Sequence, residues 1–157
     1  MRVTITGGAG FIGANLAKHL LSQGAEVSII DDLSSGSLDN IEGLGIEFYE
    51  DSILNTNTKA FEQADAIVHL GAVPSVPRSV KGPVTSHDAN ATGTLLVLEA
   101  ARERNAHVIV ASSSSVYGAN PTLPKSEDMR PMPISPYAVS KLATESYAIS
   151  YQHCYDL

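Results

Sequence analysis

The stretch Thr6-Gly7-Gly8-Ala9-Gly10-Phe11-Ile12-Gly13 directly follows the short apolar run Val3-Thr4-Ile5. A buried strand that breaks at glycines and restarts at once as a helix can fold in few ways. Phe11, Ile12, Leu16, Leu20 and Leu21 supply the apolar side of that helix. Gly7, Gly10 and Gly13 keep the spacing that opens a dinucleotide-binding βαβ unit: a tight turn, close approach of backbone to a pyrophosphate, and close helix–strand packing. The helix N-terminus offers unpaired N–H groups and a positive dipole end to phosphates. The expected ligand is a nicotinamide cofactor.

The rest of the chain alternates in the same way, which predicts an α/β fold with a doubly wound parallel sheet. Strands are expected at about 2–6, 26–30, 46–50, 65–70 and 106–112, and helices at about 11–23, 56–63, 86–104 and 136–154. Gly24 stops the first helix and Asn55 reads as an N-cap for the second. Asp32 to Gly45, Ala72 to Pro83 and Gly118 to Pro136 read as loops. At 157 residues, one domain with a real core is expected.

A net charge of -7 argues against general nucleic-acid affinity. No apolar run approaches the roughly 18 residues of a membrane span, and residues 1–10 do not read as a signal peptide. A single cysteine, Cys154, excludes an internal disulfide and suits a reducing cytoplasm. The five histidines show no metal-ligand spacing, so no metal is expected.

The second expected strand, Val27-Ser28-Ile29-Ile30, ends in Asp31-Asp32. A carboxylate there can accept hydrogen bonds from both adenosine-ribose hydroxyls and repel a 2′-phosphate, which favours NAD over NADP. Taken alone, the two aspartates could equally open a solvated loop. The third strand ends in Asp51-Ser52, where a carboxylate could meet the adenine amino group. Leu95-Leu96-Val97-Leu98 places apolar side chains on more than one face of helix 86–104, and Val139, Leu142, Ala143, Tyr147 and Ile149 do so in the last helix. Two such helices from each of two subunits would make a four-helix dimer interface. Ordinary core packing is the alternative.

Of the six tyrosines, only Tyr137 has a lysine four residues later. Ser135 suits an N-cap and Pro136 the first helical position, so Tyr137 would lie in the first turn with Lys141 one turn along the same face. A phenol ordinarily ionises near 10, about 3 units above what a base near neutrality needs. A helix terminus contributes only about 0.3–1 kcal/mol, whereas an ammonium about 4 Å away contributes roughly 4 kcal/mol at an effective dielectric near 20. Lysine must carry most of that shift. The expected fifth strand runs into Ser112-Ser113-Ser114-Ser115-Val116-Tyr117-Gly118, whose hydroxyls would face a ligand at the carboxyl end of the sheet or else make local turn bonds. No G-x-S-x-G elbow is present, which argues against a serine hydrolase.

These residues resemble the extended short-chain dehydrogenase/reductases, specifically NAD-dependent nucleotide-sugar epimerases and dehydratases. The matching motifs are Thr6–Gly13, Asp31-Asp-Leu-Ser-Ser-Gly36, His69-Leu-Gly-Ala72, Asn90-Ala-Thr-Gly-Thr94, Ser112–Gly118 and Ser135-Pro-Tyr-Ala-Val-Ser-Lys141. The resemblance implies a Rossmann-type fold with Ser113, Tyr137 and Lys141 as catalytic groups. It implies cofactor contacts from Gly7, Gly10, Phe11, Ile12, Gly13, Asp31, Asp32, Ser34, Ser35, Gly36, Asp51, Ser52, Leu70, Gly71, Ala72 and Asn90, and from Tyr137 and Lys141. Pro74, Ser75, Ser113, Ser114 and Tyr137 would border a UDP-sugar substrate.

The implied reaction is epimerisation by transient oxidation. Tyr137 takes the proton of the sugar 4-hydroxyl while hydride passes to NAD; Ser113 hydrogen-bonds the same oxygen, and the 4-keto sugar turns over before hydride returns. Dehydratases and decarboxylases of the family commonly carry an acid two residues before the tyrosine of the V-Y-G motif. Here that position is Ser115, which favours a 4-epimerase of UDP-glucose/UDP-galactose or an N-acetylated UDP-hexose. A dehydratase, decarboxylase or reductase of the same family is the alternative, as is a non-catalytic NAD-binding regulatory protein. Family members have about twice as many residues. The resemblance therefore implies a sheet cut before its sixth strand, an absent substrate domain and a piece inactive alone.

Overall fold

The computed structural model describes residues 1–55 and 59–157. Five parallel strands, β1 (Arg2–Thr6), β2 (Glu26–Asp31), β3 (Glu47–Glu50), β4 (Ala66–His69) and β5 (His107–Val110), lie in the order β3-β2-β1-β4-β5. This is the Rossmann arrangement, in which the order reverses beside β1 and leaves a crevice at the strands' carboxyl ends. β1 pairs Val3 with Val27 on one side and with Ala66 on the other.

Alternation along β1 divides the core. Val3 and Ile5, with Val27 and Ile29, pack against α1 (Phe11–Ser22) through Ala14 and Ala17. Ile30 and Ile67 face the opposite way and meet Val97 and Ala101 of α4 (Gly93–Arg102). Thr4, Thr6, Ser28 and His69 are also buried. Their hydroxyls and imidazole are satisfied by hydrogen bonds, as burial of polar groups requires. α5 (Pro136–Tyr155) packs on α4.

The helix expected at 56–63 does not form over its described part. Lys59–Phe61 makes a single 3-10 turn, and residues 56–58 lie outside the described residues. The Ala60 carbonyl accepts from Thr4 Oγ1 at 2.7 Å and from Ser28 Oγ at 3.4 Å. The turn is therefore tied to the sheet. The N-cap expected of Asn55 rests on the same span; its side chain donates to Asp51 Oδ2 at 3.0 Å.

The segment expected as a loop, Ala72 to Pro83, holds α2 (Val76–Lys81), and the helix expected at 86–104 is broken into α3 (Pro83–His87), a π turn (Asp88–Thr92) and α4. Pro77 and Pro83 sit in first turns, where a missing N–H costs nothing. Ser75 caps α2 by accepting from the Arg78 N–H at 3.2 Å. Within the expected loop Asp32 to Gly45, Leu38–Asn40 forms a 3-10 turn. No helix among the described residues is long and apolar enough to cross a membrane.

Candidate dinucleotide pocket and active site

A cavity of about 660 Å³ opens over the carboxyl ends of β1, β2, β4 and β5. Its floor is the glycine turn. Gly7 adopts φ +68°, and a Cβ there would stand 2.8 Å from Gly71 N, so β1 and β4 approach to a distance only glycine allows. At Gly13 a Cβ would fall 2.5 Å from Gly8 Cα and 2.7 Å from Gly7 O. The first turn of α1 carries no acidic residue and its N-cap, Gly10, makes no side-chain cap. Its amides are left for an anion, and Phe11 and Ile12, 83% and 66% exposed, line the opening.

Asp31 closes the neighbouring wall and is 8% exposed. Its Oδ2 accepts from Ala9 N–H at 3.0 Å and its Oδ1 from Leu33 N–H at 2.9 Å. The carboxylate thus braces the glycine turn, while each oxygen keeps a lone pair for a further donor. Gly36 packs against it: a Cβ there would meet Ala9 Cβ at 2.9 Å and Asp31 Oδ1 at 3.0 Å. Asp32 accepts from Ser34 N–H at 3.0 Å, and Asp51 from Ser52 N–H at 2.8 Å. Asp32, Ser34, Ser35, Asp51 and Ser52 all line the cavity, as do Leu70, Gly71, Ala72 and Pro74.

At the other end stand Tyr137 and Lys141. Ser135 Oγ accepts from Ala138 N–H at 3.1 Å and Pro136 opens α5, so both side chains point from its first two turns. Lys141 is 5% exposed, and burial pushes its pKa below the usual lysine range while Glu145 acts against that. Among the described residues it is the only Lys or Arg in the lining. Phosphate charge must therefore be met mainly by backbone N–H groups.

Ser113 Oγ accepts from Ser115 N–H at 3.2 Å, capping the 3-10 turn Ser114–Tyr117. Its own proton is consequently free to be donated. Gly36, Ser75, Ser113 and Ser114 are not in the cavity lining, although Ser112 and Pro74, next in the chain to Ser113 and Ser75, are. Asn90 is buried behind the wall. Its Oδ1 accepts from Val73 N–H at 2.7 Å, and its Nδ2 donates to Val73 O at 3.3 Å and to Ser140 Oγ at 3.0 Å. Ser140 Oγ in turn donates to the Tyr137 carbonyl at 2.8 Å. Asn90 thus orders the wall loop and the first turn of α5 rather than lining the cavity. Sequence reading missed Thr85, Asp88 and Ala89 in the lining, because their positions depend on the break in the long helix. It also left out Ser112, although the serine run contained it.

Beneath the cavity runs a buried hydrogen-bond chain. Gly71 N–H donates to Thr6 Oγ1 at 2.9 Å, and Thr6 Oγ1 lies 2.7 Å from His69 Nδ1. His69 Nε2 lies 3.1 Å from Thr94 Oγ1, which donates to the Asn90 carbonyl at 2.6 Å. Burial disfavours the charged ring, which leaves it one proton; with the Thr94 proton directed to the Asn90 carbonyl, that proton sits on Nε2 and Nδ1 accepts from Thr6. His69 is therefore neutral with its proton on Nε2. Burial, followed by the nearby Lys141 charge, lowers its pKa to about 3. Among the described residues no group of His, Cys, Asp and Glu could hold a metal ion.

Comparison with known proteins agrees with this geometry. A UDP-glucose 4-epimerase from Mycolicibacterium smegmatis is 42% identical over all of this chain and 53% of its own length. A Thermus thermophilus UDP-glucose 4-epimerase, solved with NAD, superimposes with a TM-score of 0.92 at 35% identity, covering 100% of this chain and 52% of that one. A dTDP-glucose 4,6-dehydratase from Streptomyces venezuelae, solved with NAD, gives a TM-score of 0.92 at 32% identity over 100% and 53%. The chain thus spans about half the length of the relatives it matches. The profile of the NAD dependent epimerase/dehydratase family matches residues 3–157, and the chain belongs to that family.

Proposed function

We propose that this chain is the NAD-holding half of a UDP-sugar 4-epimerase. The observation that carries the reading is one cavity with the glycine turn and Asp31 at one end and Tyr137 and Lys141 at the other. The residues present fit a dinucleotide: uncapped helix amides for the pyrophosphate, a braced carboxylate with free lone pairs for the adenosine ribose, and glycines where a Cβ would collide. Bound NAD would supply a reversible hydride acceptor.

The chain's own groups would handle the proton. Tyr137 takes it from the sugar 4-hydroxyl, favoured by the Lys141 ammonium. Ser113, whose oxygen already accepts from Ser115 N–H, donates to the same sugar oxygen. Asn90 and Ser140 hold the backbone of Tyr137 in place. Ser114 and Ser115 provide no carboxylate for water elimination, which favours epimerisation over the dehydratase reading that relatives of that activity keep alive.

Because relatives carry about as much sequence again, we propose that this span holds NAD but does not turn over a UDP-hexose by itself. The protein would work in the cytoplasm as a homodimer through α4 and α5. Val139 and Ile149 of α5, 53% and 60% exposed, support that interface. The test is Tyr137→Phe in a protein joined to the remaining half. Loss of UDP-galactose or UDP-N-acetylgalactosamine turnover by a hundredfold or more with NAD retained is expected. Unchanged turnover would refute Tyr137 as the base, and absence of turnover in the parent protein would favour a regulatory NAD binder.

A further inference from the structure

Glu145 lies one helical turn beyond Lys141 and two beyond Tyr137 on α5. Its Oε1 accepts a hydrogen bond from the Ser112 hydroxyl. Ser112 lies in the link between β5 and the 3-10 turn Ser114–Tyr117, lines the cavity and directly precedes Ser113. One bond therefore crosses between the two elements that carry the proposed catalytic groups.

We propose that Glu145 is a positioning residue, clamping the Ser112 end of β5 to α5 so that the Ser113 hydroxyl and the Tyr137–Lys141 pair face one substrate at a fixed separation. Its catalytic consequence rests on the epimerase reading; the clamp itself does not.

The same carboxylate has a second effect. Among the described residues no carboxylate forms an ion pair with Lys141, and a buried ammonium without an anion tends to lose its proton. Glu145 is the group that opposes this. His69, on β4, feels the Lys141 charge from the sheet side and is neutral, so it adds no competing cation. From the 3-10 turn, Tyr117 feels Glu145 along with Glu127 and Asp128; burial first, then these three carboxylates, raise its pKa. Tyr117 consequently stays an uncharged phenol and supplies no alternative anion.

The test uses the 157-residue chain with Ser112→Ala, Glu145→Ala, the double variant and Glu145→Gln. Each alanine variant should weaken NAD binding several-fold and speed amide exchange over residues 111–117. The double variant should lose no more than the worse single one, as expected for partners in one bond. Glu145→Gln can keep the bond to Ser112 without the charge. It should preserve the exchange protection yet move the Lys141 side-chain NMR titration to lower pH. Unchanged exchange in Glu145→Ala, or fully additive losses in the double variant, would overturn the clamp. An unmoved Lys141 titration in Glu145→Gln would overturn the electrostatic effect. If the parent chain fails to bind NAD, the cofactor reading fails, while exchange and titration still decide the role of Glu145.

Discussion

Thr6 Oγ1 donates to His69 Nδ1 across 2.7 Å between neighbouring strands β1 and β4, fully out of solvent. Burial, with the nearby Lys141 charge, keeps the imidazole neutral under the cofactor cavity. This neutrality also sets an acid limit on stability. The folded-state pKa of about 3 lies below the ordinary histidine value of 6.5, so between those values the unfolded chain binds more protons and stability rises with pH. In wild type, His69 should cost about 2 kcal/mol on going from pH 7 to pH 5. Urea unfolding at the two pH values, repeated with His69→Gln, checks this. The variant should be less stable at pH 7 but lose about 2 kcal/mol less on acidification; an equal loss in both proteins would show that His69 does not titrate as described.

Glycine substitutions should separate close packing from backbone strain. Gly13→Ala places a Cβ 2.5 Å from Gly8 Cα, where nothing flexible can give way. A loss of about 3 kcal/mol or more is expected, at or above the top of the range for overpacking. Gly24 adopts φ +79° with nothing within 4 Å of an added Cβ, so Gly24→Ala should cost only about 1–2 kcal/mol, from the left-handed backbone alone. Thermal or urea melts of the two variants give the comparison, and only Gly13→Ala should impair NAD binding.

Asn90→Ala should cost about 2–4 kcal/mol, since it strips partners from the Val73 N–H and leaves buried groups unsatisfied. It should also weaken NAD binding, because the wall loop and the first turn of α5 lose their common tie. Asn90→Asp tests the donor side: its carboxylate can keep the Val73 N–H but cannot donate to Ser140. An intermediate loss in urea unfolding is expected.

The fold and much of the site were legible in the sequence for physical reasons. Glycine spacing, the Asp31 position and the Ser135–Lys141 segment are local signals, and they lie at the turn between β1 and α1, at the end of β2 and at the start of α5. The elements that were misread depend on long-range partners. Lys59–Phe61 is tied to the sheet by Thr4 and Ser28, a contact spanning more than thirty residues of chain that no local pattern displays. The break at Asp88–Thr92 follows Asn90 and its carbonyl, which bond to Val73, Thr94 and Thr144. In the span Ala72 to Pro83, expected as a loop, Pro77 and Pro83 sit in the first turns of helices that Ser75 and Gly82 precede. Glu145 carried no signal by itself, since its meaning comes from Ser112, thirty-three residues earlier.

If the cavity over the glycine turn holds NAD, Asp31 is the group that selects it against NADP. Equilibrium binding of NAD and NADP to the 157-residue chain and to Asp31→Asn tests this directly. The parent chain should bind NAD and prefer it over NADP, and Asp31→Asn should lose about tenfold to a hundredfold of its NAD affinity, the worth of charge-assisted hydrogen bonds. Absence of NAD binding, or equal affinity for NAD and NADP in the parent chain, would show that the cavity and Asp31 do not work in this way.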